Sequence, residues 1–248
     1  MPYQRPDSHE PAETVDRLVF LGGTSLAILA GFINVFMLSI FTVPVSHMSG
    51  AVSRLGIDIG QEKSGDLKAV LAIIAGFFAG TILSGFFLGS NKLRYSWRYV
   101  TVLALECAAL TGAALLIATD ERFSLVLAAF ACGLQNAMAS SFHGLIIRTT
   151  HVTGIVTDLG FMIGSFLNRK PIKSWKLLLL MSLLLGYFFG GLASMIGLNH
   201  WGHPTIWFAV GLNGLILISY GLVNWRKRRQ PLLASAPTRN QEIHRPLA

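Results

Sequence analysis

Residues 46–56 read SHMSGAVSRLG and residues 150–160 read THVTGIVTDLG, so the two stretches align without a gap. Both begin with a hydroxyl residue and a histidine, and both carry a second hydroxyl residue and a glycine shortly after that histidine. Each lies in a short segment, residues 43–60 or residues 149–167, that also contains an ionisable residue. Lipid-facing helices tolerate such polarity poorly, and non-helical backbone at membrane depth needs protein or water around it. We therefore interpret both segments as re-entrant or broken helices that face the protein interior.

The sequences that flank the two segments also match each other. GFIN at residues 31–34 corresponds to GLQN at residues 133–136, in the run before each segment. GFFAG at residues 76–80 corresponds to GYFFG at residues 186–190, in the run after it. Because the matches recur in the same order, we infer that the chain is a duplication of one span, a short segment and two further spans.

The composition is that of a membrane protein. Of the 248 residues, 52% are hydrophobic and only 13% are charged, whereas about 25% are charged in soluble proteins. The mean hydropathy is +0.56. Six runs are long and apolar enough to cross a hydrocarbon core of about 30 Å, which leaves no room for a separate catalytic domain. They cover residues 18–41, 69–88, 99–118, 123–147, 175–198 and 206–222.

The predicted fold class is all-α: a polytopic membrane protein with six transmembrane helices, two re-entrant or broken short helices and an inverted-repeat architecture. If neither short segment crosses the membrane, each half crosses three times and the second half is inverted. With both termini cytoplasmic, about thirteen Lys and Arg residues then lie inside and about three outside, as the positive-inside rule favours. If both segments cross, the count is about twelve against four. The charges thus favour the inverted arrangement only slightly. The polarity of the short segments gives that arrangement further support.

The net charge of +8 is accordingly assigned to membrane orientation rather than to nucleic-acid binding. Cys107 and Cys132 lie in apolar runs without nearby ligand residues, so neither a disulfide framework nor a metal site is predicted. The predicted organisation is a polar N-terminal tail at residues 1–17, membrane repeats at residues 18–118 and 119–225, and a basic, disordered C-terminal tail at residues 226–248.

In an inverted repeat the two broken helices would approach each other near the midplane, where the unpaired N–H groups at their starts carry partial positive charge. Hydroxyl residues are common helix caps, and glycine lets the backbone approach a solute closely. Such a site suits a small polar or anionic solute; alternatively these residues only close a tight interhelical turn. The predicted substrate-binding residues are Ser46, His47, Ser49, Gly50, Thr150, His151, Thr153, Gly154, Asn34, Gln135 and Asn136.

Several of these polar side chains have two interpretations. Histidine is the side-chain type that titrates nearest to neutral pH, so His47 and His151 could relay a proton or bind the solute. Alternatively they hydrogen-bond carbonyl groups that are freed where a helix breaks. Asn34, Gln135 and Asn136 could orient a solute, or they could form hydrogen bonds between helices.

Arg54, Asp158 and Glu106 are the predicted charge-coupling residues. Arg54 and Asp158 each follow the matched histidine by seven residues, and a two-fold axis between the copies could bring these opposite charges together. Such a pair could lock the halves together, or it could open and reform during transport. Glu106 lies in the middle of a span with no counterpart in the second copy, and an intramembrane carboxylate is a candidate proton carrier.

In the stretches GFINVFMLSIFTVPVSHMSGAVSRLG and CGLQNAMASSFHGLIIRTTHVTGIVTDLG, the chain resembles the YoaK-like family of bacterial membrane proteins, whose members carry a domain of unknown function. The second stretch matches the family closely through RTTHVTG at residues 148–154. The first departs from it, because Ser-Gly-Ala at residues 49–51 stands where the family has Thr-Gly-Asn, so no role of that Asn carries over. The resemblance covers nearly all of residues 18–222. It implies a polytopic protein of the bacterial inner membrane.

The predicted function is a secondary transporter of a small polar or anionic solute, with proton coupling and a site between the two half-helices. The alternatives are a non-transporting membrane subunit or partner-binding module, and an ion channel. Enzymatic motifs are absent from the sequence, so neither catalysis nor a cofactor is expected. The expected partners are the lipid bilayer and an unidentified solute but no nucleic acid, and a homo-oligomer is compatible with the sequence.

Overall fold

The computed structural model describes residues 17–61, 64–89, 96–141 and 149–234, and the regular elements within these ranges are all helical. Eight α-helices lie in the described ranges, and a 3₁₀ turn at His203–Thr205 joins the last two. The helices are α1 (Arg17–Phe41), α2 (Met48–Gly60), α3 (Ser64–Leu88), α4 (Trp97–Leu116), α5 (Glu121–Ser141), α6 (Val152–Leu167), α7 (Ser174–Trp201) and α8 (Ile206–Ala234).

Six of these helices, α1, α3, α4, α5, α7 and α8, are long and apolar enough to cross a membrane, which confirms the all-α polytopic fold. Several of their ends differ from the prediction. α5 ends at Ser141, and the predicted remainder of that span lies outside the described residues. α7 continues to Trp201 and stops where Gly202 has a positive φ of 66°. α8 continues to Ala234; the Arg, Lys and Gln residues at 226–230 are good helix formers.

Helices α2 and α6 are the two short segments predicted from the repeat. At 1.5 Å per residue, the 13 residues of α2 and the 16 residues of α6 reach about 20 and 24 Å, less than the thickness of the hydrocarbon core. The chain reverses at Thr42, which has a positive φ of 56°. Ser46 then contacts Asn34, seven residues before the end of α1, so α2 begins about 10 Å below that end.

The long helices pair between the two halves of the chain. α1 of the first half packs along α7 of the second, and α5 of the second half packs along α3 of the first. The α1–α7 pair is parallel, because Thr24 donates a hydrogen bond to Ser182 at 3.0 Å and Ser39 contacts Met195 further along both helices. The two halves are therefore interleaved, and neither forms a separate bundle.

Glycines let the backbones of the paired helices touch. A Cβ atom at Gly31 would collide with the carbonyl group of Tyr187, and one at Gly190 would collide with the carbonyl group of Ile28. The equivalent contacts of the α3–α5 pair are Gly133 against Phe77 and Gly80 against Phe130. The residues that the sequence alignment relates thus make the same contact twice, so the duplication extends to the packing of the long helices.

Helix α4 runs antiparallel to both α5 and α8. Its Tyr99 hydroxyl donates a hydrogen bond to the carbonyl oxygen of Ser141, at the end of α5, at 3.2 Å. The ring of Tyr99 also lies 6.0 Å from that of Tyr220. Seven residues further along α4, Glu106 faces Asn213, which lies seven residues nearer the start of α8. The middles of α4 and α8 therefore cross at Glu106 and Asn213.

Alanine substitution tests the backbone contacts. Gly31→Ala in α1 and Gly80→Ala in α3 place a methyl group against a carbonyl group, so we expect each to destabilise the protein by about 1–3 kcal/mol, as overpacking does. The matched controls are Gly22→Ala in α1 and Gly85→Ala in α3, which meet no atom within 4 Å and gain helix propensity. Thermal unfolding of the detergent-solubilised protein gives the comparison. Equal midpoints for all four variants would show that the contacts carry no stability.

Candidate functional site

The first half of the predicted site is tied to α1 by hydrogen bonds. The hydroxyl group of Ser46 donates to the side-chain oxygen of Asn34 at 2.8 Å, and its backbone N–H points to the same oxygen at 3.3 Å. The hydroxyl group of Tyr187, on α7, lies 3.4 Å from that of Ser46. Asn34 and Ser46 are buried. These residues form a polar cluster, here called half-site 1, in which the entry to α2 contacts the α1–α7 pair.

The second half repeats this arrangement on α5. The hydroxyl group of Thr150 donates to the side-chain oxygen of Asn136 at 3.0 Å, and that of Thr149 lies 3.5 Å from the same oxygen. Gln135 donates its amide both to Thr149 and to the backbone carbonyl group of Leu26 in α1. This cluster is half-site 2. It lacks a phenol, because Phe77 occupies the place equivalent to Tyr187.

The two half-sites lie at different depths in the bundle. Gln135 contacts α1 at Leu26, which is eight residues, or about 12 Å of helix, from Asn34. The main packing partner of α2 is α3, and that of α6 is α7. The structure therefore does not bring the starts of α2 and α6 together around one polar cluster. The predicted residues form two separated clusters, because each short helix packs beside a different helix pair.

The capping residues also differ from the prediction. His47 and His151 are the N-caps of α2 and α6, and neither side chain makes a capping hydrogen bond. Each imidazole ring lies directly over the glycine three residues later, so that a Cβ atom at Gly50 or Gly154 would overlap the ring. Each of these glycines therefore accommodates the histidine of its own segment. The buried Nδ1 atom of His47 has no hydrogen-bond partner among the described residues.

Ser49 and Thr153, predicted to contact the solute, are instead exposed on the outer surfaces of α2 and α6. His151 is exposed as well. In each short segment the hydroxyl residue before the histidine is buried, whereas the one after it faces away from the bundle. The reason is helix geometry, because successive residues at a helix start point in different directions around the axis.

The predicted pair of Arg54 with Asp158 is not formed. Arg54 bonds Asp58, four residues later on α2, at 2.9 Å, and Asp158 lies 3.6 Å from Lys176 on α7. Each charge is thus matched by a residue of its own half, because α2 and α6 do not lie side by side. The side chain of Asp58 is fully buried. Sequence analysis overlooked Asp58, although its spacing of four residues from Arg54 is the usual one for a helical ion pair.

Glu106 lies in the centre of the bundle, half way along α4, and is fully buried. Asn213 of α8 faces its carboxyl group, but neither carboxyl oxygen completes a hydrogen bond of standard geometry with a described residue. Both polar atoms of Asn213 are equally buried and equally lacking in partners among those residues. Cys132 of α5 lies within electrostatic reach. Glu106 has no carboxyl counterpart in the second half of the sequence, and in the structure Asn213 of that half faces it.

A cavity of about 450 Å³ lies between α1, α4, α5 and α8, at the end of the bundle where α1 begins and α5 ends. Among the described residues that line it, the polar side chains are two serines and two tyrosines, and the others are apolar. It touches half-site 2 only through Leu26, and no predicted site residue lines it. The lining residues are Leu21, Gly22, Gly23, Ser25, Leu26, Tyr99, Leu103, Met138, Ala139, Leu212, Leu215, Ile216, Ser219, Tyr220 and Val223.

The sequence alignment relates this cavity to a second place in the bundle, between α5 and α4. Residues 21–26 of α1 correspond to residues 123–128 of α5. At that place Ser124 donates a hydrogen bond to the carbonyl oxygen of Ala113 at 3.0 Å, and Leu125 and Ala128 are buried in the largest apolar cluster. Of two equivalent helix interfaces, α4–α5 is therefore packed and α1–α8 holds a cavity.

Comparison with known proteins gives one match. A family model described as a protein of unknown function (DUF1275) matches residues 22–219, which cover the helices from the first turns of α1 to the middle of α8. Neither the curated proteins nor the solved structures contain a significant match to the chain. The match therefore gives the family without an activity.

The stacking of histidine on glycine predicts how the half-helices respond to substitution. Gly50→Ala and Gly154→Ala should displace the imidazole ring from the helix start, because the new methyl group would occupy its place. We expect His47 and His151 to react faster with diethylpyrocarbonate, as measured on each peptide by mass spectrometry. Gly56→Ala and Gly160→Ala, at equivalent open positions of the same helices, should leave both rates unchanged. A faster rate in all four variants would indicate general loosening instead.

Proposed function

The chain belongs to the DUF1275 family of proteins of unknown function, and from its own geometry we propose that it is a secondary transporter that moves a small solute by alternating access. In such transporters, two repeats of opposite orientation alternate between two conformations around a central site. The observation that carries the proposal is the packing difference between the two equivalent interfaces, α4–α5 and α1–α8.

The directions of the helices support an inverted repeat. α1 is parallel to α7, and the short turn at His203–Thr205 sends the chain back as α8. α8 is antiparallel to α4, and α4 is antiparallel to α5. From these relations α1 and α5, the equivalent helices of the two halves, run in opposite directions. Opposite directions for equivalent helices are expected when each half crosses the membrane three times.

The asymmetry between the interfaces fits one of two alternating conformations. If the halves exchanged conformations, α8 would close onto α1 and fill the cavity, while α4 and α5 would separate and open an equivalent cavity at the other end of the bundle. The helix pairs α1–α7 and α3–α5 would move as rigid bodies, because their backbones touch at glycines. The present cavity lies at the end that the positive-inside rule predicts to be cytoplasmic, so this conformation is inward-facing.

The lining of the cavity supports a solute with an apolar body. Ser25, Ser219 and the two tyrosines offer hydroxyl groups, while the other described residues of the lining are apolar. Ligand sites of this kind bind through apolar contact and use a few polar groups to fix orientation. We therefore propose a small amphipathic solute. This differs from the polar or anionic solute predicted from the half-helix starts, which do not line the cavity.

Cross-linking tests the proposed movement. In a background with Cys107→Ala and Cys132→Ala, Gly112→Cys and Leu127→Cys join α4 to α5, where a Cβ atom at Gly112 would lie 3.0 Å from Leu127. Proteoliposomes would be given a mixture of small bacterial metabolites, and trapped compounds would be identified by mass spectrometry. We expect uptake by the uncross-linked variant, and its loss when a short thiol-reactive reagent joins the two helices.

The matched control joins two helices that are proposed to move together. Thr24→Cys and Ser182→Cys link α1 to α7, where the two native hydroxyl groups lie 3.0 Å apart, and this link should leave uptake intact. Unchanged uptake with α4 cross-linked to α5 would contradict the proposed movement and would attribute the tight interface to the short connection between the two helices. Failure of the unmodified protein to take up any compound would contradict the transport function itself.

A further inference from the structure

We propose that Glu106 and Asn213 form a proton-binding site at the crossing of α4 and α8, and that its proton is released when the α4–α5 interface opens. The inference deepens the proposed transport function, on which its second half rests. It identifies the proton as the coupling ion and Glu106 as the residue that carries it.

The surroundings of the carboxyl group require a neutral form in this conformation. Glu106 has no solvent exposure, and Asn213 faces its carboxyl group without completing a hydrogen bond of standard geometry among the described residues. A carboxylate in such a place would cost far more than a carboxylic acid, because desolvation penalises the charged form. The ion pairs of the described part of the chain do not include Glu106. Among the described residues, the titratable groups that interact with it are the thiols Cys107 and Cys132, which offer no positive charge.

Glu106 and Asn213 lie next to both the cavity at the α1–α8 interface and the packed α4–α5 interface. Leu103, one helical turn before Glu106, lines the cavity, as do Leu212 and Ile216 on either side of Asn213. On the opposite side, Cys132 belongs to the packed apolar cluster that closes the α4–α5 interface. Glu106 therefore lies between the cavity that is open now and the interface that is proposed to open next.

Opening of the α4–α5 interface would admit water to Glu106 from the opposite membrane face. The carboxylic acid would then transfer its proton to a water molecule and remain as a carboxylate, which water stabilises. Closure would expel that water and require the carboxylate to take up a proton first, because a bare charge is costly there. The carboxylate is thus a barrier to closure, and proton binding removes that barrier. Asn213 positions the carboxyl group from α8, and Glu106 itself holds the proton.

Infrared spectroscopy of the full-length protein in liposomes tests the protonation. The difference between the wild-type protein and Glu106→Gln at neutral pH should show the C=O band of a carboxylic acid that is lost in the variant. A pair of carboxylate bands in that difference would overturn the proposal. Asn213→Leu provides a second reading, because removal of the amide should shift the acid band to higher frequency. Asn224→Leu is the matched control, since Asn224 is a buried asparagine of the same helix, about 16 Å further along, and should leave the band in place.

Hydrogen–deuterium exchange of the same band tests the release. On transfer to D₂O the acid band shifts as its proton is replaced, and we expect the α4–α5 cross-link to slow this shift by about tenfold or more. The α1–α7 cross-link should not slow it. Equal exchange with and without the α4–α5 cross-link would overturn the proposed release. Gated exchange in a protein that takes up no solute would support the proton site while refuting the transport function, so the two failures are distinguishable.

Discussion

Direct contact between helix backbones holds the two parallel helix pairs together, α1 with α7 and α3 with α5. Lipid chains are as apolar as the side chains of a membrane helix, so association inside a bilayer depends on close packing rather than on the hydrophobic effect. Gly31, Gly133, Gly80 and Gly190 provide that packing at four places that the duplication relates in pairs. Because each pair takes one helix from each half, the halves cannot separate. Any rearrangement that preserves these contacts therefore moves each helix pair as a unit.

The short helices link these pairs to each other. The entry to α2 is held by Asn34 on α1, while α2 itself packs against α3. The entry to α6 is held by Asn136 on α5, while α6 packs against α7. Backbone and hydroxyl groups at this depth need internal partners, because the hydrocarbon core offers none. The two asparagines meet that need, so the polarity of the short segments has a structural explanation and does not require a bound solute.

The cavity and the buried carboxyl group lie between the two helix pairs, where the two halves of the duplication differ. One of two equivalent interfaces is packed and the other holds a cavity, and the crossing of α4 and α8 has a carboxyl group on one side and an amide on the other. A carboxyl group can change its charge by gaining or losing a proton in the ordinary pH range, whereas an amide stays neutral. An asymmetrical pair therefore offers a single titratable group at the centre of a nearly symmetrical bundle, where both halves can act on it.

The sequence by itself determined the membrane class, the six spans, the two short helices and the pairing of small residues that the long helices use. These features follow from local hydropathy, length and repetition, which are properties of the chain. Only the tertiary structure decided which helices are neighbours. The pairing of Arg54 with Asp158 assumed that α2 and α6 meet, but each short helix packs beside a different pair, and the charges find partners nearby. Asn213 faces Glu106 because the folded bundle makes α4 and α8 neighbours. Contacts between distant segments depend on how the halves interleave, and that arrangement leaves no periodicity in the sequence.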